Sequence, residues 1–322
     1  MPSRNKKEAI VLLNMGGPNN LDEVKVFLKN MFNDKNILRF KRPWMRSLLG
    51  SFITTLRGKE ARKNYAALGG HSPIVGHTQD IVSALQERVK DVEVHYAMRY
   101  TPPFASEVIE KLKESGTEHV YLLPMYPQYS TTTTLSSLED FYESAKRLEL
   151  DAKIYDVWRY FDNSALNNSI IDRVEESLNG DNARDFELIF SAHGLPKSII
   201  EAGDSYEKEM EQHVEILKSM LKYRGLEFRN IHLAYQSRLG PVEWLNPSLP
   251  QMLERMNNEH VIIYPISFTV DNSETDFELS IEYAEVAKEL GISDYRVSRC
   301  PNAHPHFINA LEELYKKLKI SQ

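Results

Sequence analysis

The chain has 322 residues, a formal net charge of −7, 42% hydrophobic residues and one cysteine, Cys300. Mild acidity argues against nucleic acid as the main partner, and no apolar run reaches the roughly 18 residues that would span a membrane. A lone cysteine can form no intramolecular disulfide, and it cannot by itself build a zinc ribbon or an iron–sulfur cluster, so any metal chemistry must use His, Asp and Glu.

In chain order, residues 1–8 are short and charged and run into a strand without the apolar stretch of a signal peptide, so a cytoplasmic location is expected. Short apolar runs predict strands over 10–14, 93–98, 119–124, 153–156, 188–192, 231–235, 260–266 and 295–298. Helical spacing predicts helices over 21–31, 106–115, 165–178, 207–223, 273–290 and 306–319. The alternation is that of an α/β protein with parallel sheets covered by helices. Between them lies a basic segment in which Arg39, Lys41, Arg42, Arg46, Arg57, Lys59, Arg62 and Lys63 interleave with Phe40, Trp44, Met45, Leu48, Leu49, Phe52 and Ile53. It reads either as a helix packed on the body or as a lip for a membrane surface or a flat anionic ligand.

A weak internal repeat aligns residues 10–18 with 188–196, and 118–124 with 259–265. It predicts two similar doubly wound lobes. One spans 1–160 and is joined by a C-terminal helix over 304–322; the other spans 161–303. Ligands of such sheets bind beyond the carboxyl ends of the strands, where Met15, Tyr126, His193 and the segment after Ile266 fall.

His193 follows an apolar strand and is flanked by Gly194 and Pro196, which shape the backbone beside a side chain that titrates near neutrality. Asp271, Glu274, Glu278 and Glu282 recur at helical spacing, where like charges cost roughly 0.2–0.5 kcal/mol per pair. Such a stripe is an ordinary solvated face unless protons or hard cations must travel along it.

The segments Leu-Leu-Asn-Met-Gly-Gly-Pro at 12–18, Gly-Gly-His-Ser-Pro-Ile at 69–74, Tyr-Pro-Gln-Tyr-Ser at 126–130, Ser-Ala-His-Gly-Leu-Pro at 191–196 and Tyr-Gln-Ser-Arg-Leu-Gly-Pro at 235–241, with the run from Glu274, resemble the ferrochelatase family nearly end to end. The resemblance implies two Rossmann-like, chelatase-like lobes around a porphyrin site and insertion of Fe²⁺ into protoporphyrin IX. It makes His193 and Glu274 the catalytic pair and the iron ligands. Met15, Tyr126 and Trp244 would pack the macrocycle, Arg57, Tyr65 and Ser72 would hold its propionates, and Arg99 would lie near the ring. Asp271, Glu278 and Glu282 would form a track for protons or metal.

The chain also departs from the family pattern. Asn272 stands where many relatives have histidine, His71 replaces a glycine, and Gly194 is often serine, a change expected to be mild. The cysteines of cluster-bearing relatives are absent, so no iron–sulfur cluster and no other prosthetic group are expected. Asn14 and Met15 are similar to relatives that use protoporphyrin IX; coproporphyrin III or a sirohydrochlorin-type ring is the alternative. The expected partners are the porphyrin and Fe²⁺ as substrates, with peripheral membrane contact, no nucleic acid, and a monomeric state.

Overall fold

The computed structural model describes residues 7–40, 42–237, 240–256 and 259–320. Expectations resting on residues 1–6, on Lys41, on Arg238 and Leu239 of the 235–241 segment, and on the last two residues of the C-terminal helix lie outside them.

The chain forms two compact units. The first comprises residues up to Tyr126, Thr131–Trp158 and the chain from Ile308 onward; the second comprises Pro127–Ser130 and Arg159–Phe307. Compared with the expected boundaries, the division falls at Trp158 rather than 160, residues 304–307 join the second unit, and so does Pro127–Ser130. Side chains of the second unit hold that short segment. Buried Gln128 donates to His213 Nδ1 at 2.7 Å, the Tyr129 N–H donates to buried Glu209 at 2.7 Å, and Ser130 donates to Asp204 at 3.0 Å.

In the first unit, β1 (Glu8–Asn14), β2 (Glu93–Met98), β3 (His119–Pro124) and β4 (Lys153–Asp156) form a parallel sheet in the order β2-β1-β3-β4. In the second, β5 (Phe186–His193), β6 (Asn230–Gln236), β7 (His260–Tyr264) and β8 (Asp294–Val297) repeat the arrangement as β6-β5-β7-β8. The repeat seen in the sequence therefore maps β1 onto β5 and β3 onto β7. Its register is consistent too. Ile10 pairs with Tyr121, and Leu188, its counterpart, pairs with Ile262, the counterpart of Tyr121. The offsets of the two repeat segments differ because the first unit carries the 25-residue helix Pro43–Ala67 between β1 and β2.

Strand alternation divides each sheet into two buried faces. Ala9, Val11, Leu13, Val120 and Leu122 pack with Val108, Ile109, Leu112, Leu138 and Phe141 of helices Ala105–Ser115 and Ser136–Arg147. On the other face Tyr121 meets Tyr315 of helix Pro305–Ile320 edge-on, ring centroids 4.9 Å apart. In the second unit, Ile189, Ala234, Val261 and Ile263 pack with Leu249, Leu253, Leu279 and Ala287.

Helices Ile74–Arg88 and Ser136–Arg147 were not expected. The first buries a narrow stripe of Ile74, Thr78, Ile81 and Leu85; the second buries Ser136, Ser137 and Ser144 beside Leu138 and Phe141. The segment expected as one helix over 273–290 is a π-helix over Glu274–Glu282 followed by an α-helix over Tyr283–Glu289. Helix Pro43–Ala67 packs through Gly50 and Thr54. A side chain at Gly50 would come within 2.8 Å of the Phe32 carbonyl, which explains the close approach there. Trp44, Leu48, Phe52 and Leu56, at four-residue spacing, are 57–71% exposed.

Candidate active site

The β5–β7 pair is the switch point of the second sheet, the place where an open α/β fold binds ligands. β5 ends at His193, and its backbone is pinned on two sides: its N–H donates to Ser267 Oγ at 2.9 Å, and its carbonyl accepts from Tyr206 OH at 2.9 Å. Gly194 donates its N–H to the Gln236 carbonyl at 2.8 Å, and a Cβ there would lie 2.6 Å from that oxygen. Serine at this position is therefore not the mild change expected, because the backbone would have to shift to admit it.

His193 Nδ1 lies 2.8 Å from Glu274 Oε2; the two side chains are 38% and 20% exposed. Glu274 has only acceptors, so Nδ1 carries the proton it faces, and Nε2 is left with no hydrogen-bond partner among the described residues. Phe268 sits edge-on to the imidazole at 6.4 Å. Burial disfavours the imidazolium, but the Glu274 charge outweighs it and raises the His193 pKa above its ordinary value. For Glu274, burial raises and His193, Ser237 and Gln236 lower, and the carboxyl ends below its usual range. The pair is thus built as a carboxylate beside a proton-accepting imidazole.

Two residues of β6 and its end complete the cluster. Gln236 accepts from Ser191 Oγ at 2.6 Å and turns its amide toward Glu274 at 3.5 Å. Ser237 Oγ lies 2.8 Å from Glu274 and 2.6 Å from Glu278, and its N–H donates to Glu278 at 3.0 Å. Burial, then the neighbouring Glu274 charge, pushes Glu278 up to about 7. Glu282, one step further along the π-helix, is exposed. The stripe therefore climbs from a partly buried pair to solvent, and its i→i+5 hydrogen bonding is the kind of helical distortion that concentrates at functional sites.

Asp271 does not belong to this stripe. It is buried, accepts from the Cys300 N–H at 2.9 Å and Asn302 Nδ2 at 2.6 Å, and so fastens the loop after β8. Asn272, where a second imidazole was missed, is also buried, and its Oδ1 accepts the Glu274 N–H at 2.8 Å. It sets the start of the π-helix. Trp244 pairs with Pro196 through its backbone and packs near Gly194; its buried indole N–H has no partner among the described residues.

The other expected site residues belong to the first unit. Met15 follows β1 and packs against the Val24, Phe27, Tyr65 and Tyr100 cluster. Tyr65 is buried there, edge-on to Phe27 at 6.5 Å, and reads as a core aromatic. Ser72 is buried as well: its N–H donates to the Pro18 carbonyl at 2.8 Å, and its side chain fills the space above Gly17, where a Cβ would come within 2.5 Å. Packing of the 69–73 loop accounts for this serine. Arg57 is half-buried on helix Pro43–Ala67. Arg99 is held by Ser136 at 3.0 Å, Asp34 at 3.1 Å and Asp140 at 3.3 Å. Tyr126 lies just past β3 with its hydroxyl 3.4 Å from Ser137 Oγ, and burial raises its pKa.

Sequence reasoning missed Ser237, Gln236, Ser267, Tyr206 and Phe268. The signal available for the first two was the 235–241 segment, which carried resemblance but no assigned role.

Two parallel four-stranded α/β units with flanking helices define a chelatase-type fold. The structure is similar to SirB from Bacillus subtilis with Fe³⁺, at a TM-score of 0.57 and 12% identity over 97% of this chain and 95% of that one. It is also similar to CbiX, the terminal enzyme for biosynthesis of siroheme in denitrifying bacteria, at 0.51 and 10% over 96% and 99%. At such identities the likeness concerns the fold alone. In sequence, residues 7–318 match the family model described as Ferrochelatase. Ferrochelatases of Sulfurimonas denitrificans and Wolinella succinogenes are 52% and 50% identical, each over 98% of this chain and all of its own length. That of Helicobacter pylori strain G27 is 44% identical over 98% of this chain and 95% of its own. The chain belongs to the ferrochelatase family.

Proposed function

We propose that this chain inserts Fe²⁺ into protoporphyrin IX to give protoheme, the last step of heme biosynthesis, acting as a lyase. The observation that carries the reading is the His193–Glu274 pair, with Nδ1 committed to the carboxylate and Nε2 open. Metallation requires a porphyrin to lose its pyrrole protons while the ion sheds water. His193 Nε2 is the acceptor for such a proton, and Glu274 balances the charge that then develops on the ring. Imidazole also suits Fe²⁺ as a passing ligand, while carboxylates hold it more loosely, so the pair can receive the substrate ion and let it go. Glu278, titrating near neutrality, and exposed Glu282 supply a route for protons to solvent.

For the macrocycle, the family match favours Met15, Tyr126 and Trp244 as packing contacts, with Arg57 and Arg99 as the cationic ones. The choice of protoporphyrin IX rests on Asn14 and Met15. No resident cofactor enters the scheme: Cys300, the single cysteine, is buried beside Asp271. We further propose that helix Pro43–Ala67 rests on a membrane surface, inserting Trp44, Leu48, Phe52 and Leu56 while Arg42 and Arg46 meet anionic headgroups. No helix of the described residues is long and apolar enough to cross a membrane.

The test is anaerobic metallation of protoporphyrin IX with Fe²⁺ by the parent, His193→Ala and Glu274→Gln. Heme formation that both substitutions abolish while porphyrin binding persists supports the reading. A folded, porphyrin-binding parent that forms no heme rejects it and directs the same assay to coproporphyrin III.

A further inference from the structure

The His193 backbone is held by Ser267 on one side and Tyr206 on the other, and the short segment Pro127–Ser130 stands behind both holders. On the Ser267 side, buried Gln128 donates through Nε2 to the carbonyl of Ile266, the residue before Ser267, at 3.3 Å. Ile266 donates its own N–H to the Ser191 carbonyl on β5 at 3.0 Å. On the Tyr206 side, one oxygen of buried Asp204 accepts the Tyr206 N–H at 3.0 Å and the other accepts the Ser130 hydroxyl at 3.0 Å. Between the two, the Tyr129 N–H donates to buried Glu209 at 2.7 Å, which also meets Arg159 at 3.1 Å and belongs to helix Tyr206–Tyr223.

Donor and acceptor chemistry fixes the direction of the bonds behind Gln128. The Ile266 and Phe161 carbonyls can only accept, so Gln128 and Asn167 each turn an amide NH₂ toward one of them, at 3.3 and 3.0 Å. Gln128 Nε2 also lies 2.7 Å from His213 Nδ1, which is then the bare ring nitrogen. His213 Nε2 carries the proton and donates it to Asn167 Oδ1 at 2.7 Å. His213 is fully buried, and burial pushes its pKa down to about 3, so the ring keeps this one neutral tautomer at neutral pH. Apolar side chains could fill the same space without the cost of burying an amide, an imidazole and two carboxylates. A fully satisfied polar network instead specifies one arrangement of the groups it joins, and here those groups include both holders of His193.

We propose that Gln128 and Ser130 are positioning residues for His193. Gln128 sets Ser267 through Ile266, Ser130 sets Tyr206 through Asp204, and together they fix where the imidazole stands at the end of β5. His213 is the brace that keeps the Gln128 amide turned toward Ile266. This rests on the reading of the chain as a metal-inserting enzyme.

The test follows anaerobic Fe²⁺ insertion into protoporphyrin IX, per folded molecule and well below Tm, by the full-length parent, Gln128→Leu, Ser130→Ala and Ser130→Thr. Gln128→Leu and Ser130→Ala should each lose about tenfold or more in kcat with the porphyrin KM nearly unchanged, since a misplacement of about 1 Å can cost about 10²-fold. Ser130→Thr keeps the hydroxyl and should recover most of the kcat that Ser130→Ala loses. A Gln128→Leu variant with lowered Tm and the parent's kcat has lost packing only, which overturns the positioning while leaving the enzyme reading intact. Loss confined to KM also overturns it, since that is the signature of disturbed binding. If Gln128→Leu does not fold, the two serine variants decide, and equal kcat in both overturns the positioning. An inactive parent overturns the enzyme reading and the positioning with it.

Discussion

The two units run the same sheet order and register but end their central strands differently. At the end of β1 stands Met15, packed into an apolar cluster; at the equivalent end of β5 stands His193, with one nitrogen bound to Glu274 and the other open. On the neighbouring strands, Arg99 follows β2 where Gln236 ends β6. Arg99 is matched by Asp34, Asp140 and Ser136, while Gln236 and Ser237 converge on the carboxylates of Glu274 and Glu278. One scaffold therefore carries an ion-paired network around Arg99 in one copy and, in the other, the His193–Glu274 pair to which the proposed proton handling is assigned. Fold repetition fixed where the strand ends sit, and a few residues just past them make the two copies chemically different.

The largest effect should come from exchanging the strand-end residues for alanine. His193→Ala should cut the metallation rate by about 10³-fold, as expected for loss of a general base, whereas Met15→Ala should act mainly through porphyrin KM. Equal losses in kcat at both positions would erase the distinction between the units. Next comes pH dependence. With neutral His193 as the proposed acceptor, the rate should fall as pH drops through its raised pKa, with an inflection above 6.5. Since Glu274 causes that rise, the residual activity of Glu274→Gln should inflect at lower pH.

Glycine substitutions sharpen the comparison at the level of stability. Gly16→Ala meets both a left-handed φ of +82° and Thr101 Oγ1 at 2.5 Å; Gly194→Ala, without a left-handed φ, meets the Gln236 carbonyl at 2.6 Å. Each should cost about 1–3 kcal/mol in denaturant unfolding, as overpacking does, with Gly16 the more costly. The smallest effect is a stabilisation. Folding raises the Glu278 carboxyl from 4.5 to about 7, so the folded state binds more protons in that interval and stability falls as pH rises through it. Glu278→Gln removes the charge and should raise Tm at pH 8 but leave it nearly unchanged at pH 4. No difference between the two pH values would show that the Glu278 environment tolerates its charge.

All eight strands, the two-unit repeat and the His193–Glu274 pair were legible in the sequence. Strands buried on both faces must be continuous apolar runs, and a polar residue directly after one stands out. Helices Ile74–Arg88 and Ser136–Arg147 were not read from the sequence: the first buries a narrow stripe, and the second, though amphipathic, buries three serines beside only Leu138, Phe141 and Ala145. Asp271 sat in step with Glu274 by spacing, yet it precedes the π-helix and folds back onto the Cys300–Asn302 loop. Ser72 and Tyr65, read as ligand contacts through resemblance, are buried in loop packing and in the apolar cluster.

What the sequence by itself determined was the order of elements, the repeat and the two residues that meet as the His193–Glu274 pair, because strand periodicity and motif residues are local properties. Tertiary structure alone decided that Glu274 receives Nδ1, that Ser237 bridges two acids 37 and 41 residues further along the chain, and that Asp271 is a clamp. Those outcomes depend on which strand ends the sheet order brings side by side, and on the partners each carboxylate finds once water is excluded.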